Sequence, residues 1–145
     1  MPISVDHVGR SYPSTKPYEI SRAKIAEFAA ALGDGNPAYH GDAPVAPPTF
    51  AAVIAAQAWG AMFDDPELGL ALQRTMHADQ RFDFARPLQP GDPVVATLTI
   101  SKVRNRGNVD MVTVEVDMSS VAGEQLCTAT SQLLHTRPDP EGDQQ

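Results

Sequence analysis

Thr49-Phe50-Ala51-Ala52-Val53-Ile54-Ala55-Ala56-Gln57-Ala58-Trp59-Gly60-Ala61-Met62-Phe63 is the stretch on which the architecture turns. Alanine dominates it, and alanine favours helix more than any other residue. The larger members, Val53, Ile54, Trp59, Met62 and Phe63, fall around the helical circumference rather than along one stripe. A helix that is apolar nearly all round is expected to be buried. Pro47-Pro48 suits its start, where a fixed φ and a missing N–H cost little, and Asp64-Asp65-Pro66 ends it. Gln57, amid the run, needs hydrogen-bond partners if it is enclosed.

Downstream, the hydrophobic period changes from helical to alternating. Gln80, Phe82 and Phe84 oppose Arg81, Asp83 and Ala85; Val94, Ala96, Leu98 and Ile100 oppose Val95, Thr97 and Thr99. Val112, Val114, Val116 and Met118 alternate with polar residues, and Gln125 to His135 reads as a returning strand. Turns fall at Gln89 to Pro93, Asn105 to Asn108 and Ala122-Gly123. Upstream, Tyr18-Glu19-Ile20 is extended. An amphipathic helix follows, with Ser21 as its cap, Ile25, Phe28, Ala29 and Leu32 on one face, and Gly33 as its stop. Helices first and an antiparallel meander afterwards give an α+β fold, whose sheet must cover its valine face. A sheet curled around the Thr49–Phe63 helix meets that need.

At 145 residues and 42% hydrophobic, the chain is long enough for one core, assigned to residues 1–136, with 137–145 read as a disordered tail. No apolar run reaches membrane-spanning length and residues 1–10 lack a signal-peptide layout, so no membrane association and a cytoplasmic location are expected. A net charge of −7 disfavours nucleic acid. Arg74, Arg81 and Arg86 around one strand form a possible patch for an acidic carrier or a phosphate, although such residues are more often solvated. The single Cys127 reads as packing, no zinc spacing is present, and neither cofactor nor metal is expected.

The loop Asp34-Gly35-Asn36-Pro37-Ala38-Tyr39-His40 carries the candidate chemistry. An aspartate and a histidine on one loop could protonate a leaving hydroxyl and remove an α-proton. The same residues are also ordinary turn formers. Asp34 follows a helix C-terminus, where the dipole disfavours a carboxylate unless solvent screens it.

These residues resemble the overhang motif of the MaoC-like hot-dog dehydratases and hydratases, an aromatic followed by Gly-Asp-x-Asn-Pro-x-His, here Phe28 and Gly33 to Tyr39. Pro47-Pro48-Thr49-Phe50 and His77 to Leu88 extend the likeness over most of the chain. It looks most like the A-type subunit of actinobacterial (3R)-hydroxyacyl-ACP dehydratases, in which a sister subunit supplies catalysis, and that subunit's uncharacterised relatives. The resemblance implies a hot-dog fold, an acyl-ACP or acyl-CoA thioester as ligand, and a homodimer or a heterodimer with a catalytic hot-dog subunit.

Carried over residue by residue, Asp34 falls on the family's catalytic aspartate and Asn36 on its supporting asparagine. Tyr39 stands at the histidine position, with His40 one residue late. An unperturbed phenol, with a pKa of about 10, is a poor base at neutral pH. Pro47-Pro48 stands where active relatives place His-Gly, so a backbone donor to the thioester carbonyl is missing. The acid/base set therefore reads as degenerate. Pro48, Thr49, Val53, Ile54, Gln57 and Trp59 are candidates to contact an acyl chain, with His77 and Gln80 near the family's substrate mouth; each apolar one also reads as plain core. The favoured expectation is an acyl-binding dehydratase subunit. The alternatives are a self-contained (R)-specific enoyl-thioester hydratase using Asp34 and His40, a hot-dog thioesterase, or a ligand-free structural dimer.

Overall fold

The computed structural model describes residues 2–140. In chain order it contains β1 (Tyr18–Glu19), α1 (Arg22–Leu32), α2 (Ala51–Phe63), β2 (Thr75–Phe84), β3 (Pro93–Arg106), β4 (Val109–Ser120) and β5 (Gln125–Thr136). The strands form one antiparallel sheet in the order β1-β3-β4-β5-β2, curled around α2 as a hot-dog fold.

Strict alternation builds the inner face. Val94, Ala96, Leu98 and Ile100 of β3, Val112, Val114, Val116 and Met118 of β4, and Cys127, Ala129 and Leu133 of β5 are all buried. Ile54, Ala55, Ala58 and Met62 of α2 join them in one core. Before α2, a single 3-10 turn spans Pro48–Phe50, and the Phe50 ring takes Phe28 of α1 edge-on at 5.3 Å between centroids.

α1 begins and ends where its capping residues dictate. The Ser21 hydroxyl accepts from Lys24 N–H at 3.1 Å, Gly33 adopts φ 68°, and Asp34 N–H returns to Ala29 O at 3.0 Å. Ile25 and Ala29 are buried, but Leu32, expected on the same face, is exposed because the helix meets the core only along its first two turns.

Three expectations are corrected. α2 is not enclosed: one side is buried, while Ala56, Gln57, Gly60 and Ala61 on the other are exposed, since one curled sheet covers only one side of a helix. β2 begins at Thr75 rather than Gln80, and β3 continues to Arg106, so that Asn105 and Arg106 lie in the strand and only Gly107-Asn108 turn. Beyond these, the N-terminal segment, for which the sequence carried no structural expectation, runs along β3, with Gly9, Tyr12 and Thr15 donating to the carbonyls of Ile100, Leu98 and Ala96 at 2.8, 3.1 and 2.9 Å. Its residues have no strand alternation, so periodicity could not place it. That sheet edge is thereby covered, whereas β2 pairs, among the described residues, with β5 alone.

Of the segment 137–145, Arg137 is tied down by its N–H to Asn108 O at 2.8 Å; residues 141–145 lie outside those described.

Candidate functional site

The Asp34–His40 loop is built from its own turn chemistry. Asp34 Oδ1 accepts from Asn36 N–H, and Asn36 Oδ1 from Ala38 N–H, each at 3.0 Å. Pro37–Tyr39 forms a single 3-10 turn, and His40 N–H closes it on Pro37 O. Tyr39 is half-buried against the core and anchors the loop, whereas Asp34 and His40 are exposed, Asp34 facing the solvent that screens the α1 dipole. Among the described residues no hydrogen bond or ion pair joins Asp34 to His40. The two groups that proton transfer would need thus lie on one exposed loop with no bond between them.

At the start of α2, Phe50 N–H closes on Pro47 O at 2.9 Å, and Pro48 has no N–H to offer. The prolines launch the helix and leave no donor at that position for a carbonyl oxygen. Pro48 instead lines a mostly apolar cleft of about 290 Å³ with Ala46, Phe84, Ala85, Arg86 and Pro87. Thr49 is exposed beside it; Ile54 is wholly core; Val53 and Trp59 are half-buried and Gln57 is exposed. Of the candidate acyl contacts, therefore, Ile54 faces the sheet, while Val53, Gln57 and Trp59 border the uncovered side of α2.

His77 and Gln80 are brought together. Register places His77, Gln80, Phe82 and Phe84 opposite Leu133, Ser131, Ala129 and Cys127, all buried residues of β5, so these four side chains share the inner face of the edge strand. His77 Nε2 lies 2.9 Å from Gln80 Oε1, and the Trp59 ring meets the His77 ring edge-on at 5.2 Å. A second recess of about 310 Å³ opens at His77 to Gln80. A larger hollow, about 620 Å³, lies elsewhere, beside Pro2, Ser4, Asp6, His7 and Glu67, and carries none of the candidate residues.

The sequence matches the family model described as FAS1-like, dehydratase domain region, over residues 6–129. The chain belongs to the MaoC-like hot-dog dehydratase family. Similar members are a UPF0336 protein of Cutibacterium acnes, 54% identical over 139 residues (96% of this chain, 98% of that one), and one of Streptomyces coelicolor, 42% identical over 137 residues (88% and 91%). Among solved structures, the C-terminally truncated HadBC (3R-hydroxyacyl-ACP dehydratase) complex of Mycobacterium tuberculosis superimposes with a TM-score of 0.79 at 27% identity, covering 91% of this chain and 99% of that chain.

Within this hot-dog dehydratase fold two of the three patch arginines are committed to ion pairs, while Arg74 is exposed. Arg81 pairs with Asp83 at 3.0 Å, and Arg86 binds both oxygens of Asp92 at 2.9 Å and Glu124 at 2.9 Å. Hydrogen bonds from Arg86 hold the Asp92 carboxyl below its ordinary range, and those from Tyr12 and Arg10 do the same for Asp65. Burial raises the Cys127 thiol to about 11, as suits a packing residue.

The sequence reading missed three buried polar residues, Ser131, Asp110 and His135. All lie at inward positions of β4 and β5, where strand alternation calls for an apolar residue. That mismatch was the available signal. Ser131 serves Gln80. His135 and Asp110 form a separate node: Ala71 N–H donates to His135 Nε2 at 3.2 Å, leaving Nδ1–H to face Asp110 Oδ2 at 3.3 Å. Asn105 Nδ2 reaches Asp110 Oδ1 at 2.6 Å, and Arg137 Nε lies 3.2 Å from the same oxygen.

Proposed function

We propose that this chain is a cytoplasmic acyl-thioester-binding subunit of a (3R)-hydroxyacyl-thioester dehydratase, its catalytic loop degenerate and its chemistry supplied by a hot-dog partner. The observation that carries this reading is the loop itself: Asp34 and Asn36 accept hydrogen bonds from their own turn, and no bond links Asp34 to His40. The missing backbone donor at Pro48 supports it. So does the surface left open. The uncovered side of α2 is apolar around Gln57, and the bare edge strand exposes Met76 (69%) and Phe84 (37%), a combination that invites a second sheet to continue the first. The solved relative at 27% identity is itself a two-subunit dehydratase complex.

The test is to co-express this chain with a hot-dog subunit carrying an intact Asp-x-Asn-Pro-x-His loop. The complex is expected to dehydrate 3-hydroxyacyl thioesters, or to extend the partner's chain-length range, while this chain alone hydrates crotonyl-CoA negligibly. Turnover by the chain alone at about 1 per second or more, abolished by both Asp34→Asn and His40→Ala, would establish the self-contained hydratase instead.

A further inference from the structure

Gln80 is held with unusual completeness for a residue on an edge strand. Its Nε2 donates to the carbonyls of Arg81 and Thr130, both at 3.1 Å, and its Oε1 accepts from Ser131 Oγ at 2.6 Å. Two carbonyls on one side of the carboxamide fix which end is nitrogen. The oxygen end can only accept, so the His77 Nε2 lying 2.9 Å from it must carry the proton. In neutral His77 the open valence is therefore Nδ1, a hydrogen-bond acceptor.

Two further features serve this arrangement. Residues three apart on a regular strand face opposite sides; here the register slips between His77 and Asp79, Ala78 is the extra residue, and His77 and Gln80 come to the same side. Bulges recur where a strand re-aims a side chain. Ser131, meanwhile, is a fully buried hydroxyl among Ala129 and Leu133 whose bond goes to Gln80. Leaving a hydroxyl in an apolar layer costs stability unless it is bonded. The Trp59 ring supports the imidazole from α2.

The geometry points to His77 Nδ1 as a preset acceptor for a neutral hydrogen-bond donor, the hydroxyl or amide N–H of a 3-hydroxyacyl thioester, with Gln80 and Ser131 as its positioning residues. This rests on the acyl-thioester reading above. The recess offers nothing to hold an anion, because neither lysine nor arginine is among its lining residues, His77 to Gln80.

Two-bond proton–nitrogen correlation spectra of the full chain at neutral pH are expected to report His77 as the Nε2–H tautomer, with Gln80→Leu releasing it to a mixture. Ser131→Ala, the smaller change, should loosen it in the same direction. Binding is then read with (R)-3-hydroxyoctanoyl-N-acetylcysteamine, its 3-deoxy analogue and the corresponding S-ethyl thioester, which lacks the amide. The first should move the His77 Nδ1 resonance, and His77→Phe, which keeps a ring against Trp59, should weaken its binding roughly five- to tenfold. Loss of the response with the deoxy analogue assigns the donor as hydroxyl; loss with the S-ethyl thioester assigns it as amide. A dominant Nδ1–H tautomer, thioester affinity unchanged by His77→Phe, or no thioester binding at all overturns the assignment. None of these readouts involves turnover, so a partner that fails to restore dehydration is a separate result and removes only the catalytic reading.

Discussion

Asp34 works as a turn acceptor, and asparagine offers the same Oδ1 in the same place. Asp34→Asn should therefore leave urea stability within about 0.5 kcal/mol of wild type and change turnover of the partnered complex by less than about twofold. A collapse of that turnover with folding intact would return Asp34 to the chemistry. His135 behaves oppositely, being buried and bonded on both ring nitrogens. His135→Leu strands the Ala71 N–H and removes a donor from a buried carboxylate, which should cost about 3 kcal/mol, read as a lowered urea midpoint.

At the scale of the element, the two sides of α2 should respond unequally. Ile54 is 1% exposed against the sheet, so Ile54→Ala should lower stability by about 3 kcal/mol through the cavity it opens. Ala56 is on the open side. Ala56→Arg keeps a good helix former and should hardly change the stability of the isolated chain, yet it should halve the assembled mass in light scattering by placing a charge where a second subunit packs. An unchanged mass would mean that this side is not the interface.

For the whole molecule, ion pairs join parts remote in sequence, Arg10 to Asp65 at 2.8 Å and Arg86 to Glu124 at 2.9 Å, and Arg86 also holds the nearby Asp92. Asp65 and Asp92 titrate below their ordinary value of 3.8 in the folded chain, so the unfolded chain takes up their protons first as pH falls. Their contribution is complete above about pH 4 and is lost as the pH drops through the lower folded values. The urea midpoint should accordingly fall steeply below pH 4, and Asp92→Asn should flatten that acid limb while lowering the plateau at pH 7. An acid limb identical in the variant would show that Asp92 is not one of the groups responsible.

The sequence by itself determined the elements whose causes are local. Ser21 and Gly33 mark both ends of α1, alternation from Val94 and from Val112 marks β3 and β4, and an alanine-rich apolar run marks α2, because capping and period act over neighbouring residues. The family could be read from the Gly33–Tyr39 motif and the stretches around it. What only the tertiary structure decided depends on residues distant in the chain. Which side of α2 stays open follows from how far one sheet can wrap, and the course of the N-terminal segment follows from β3 carbonyls that lie more than eighty residues away. The pairing of His77 with Gln80 and Ser131 needed a bulge that alternation cannot encode, since one inserted residue reverses every inward and outward assignment beyond it.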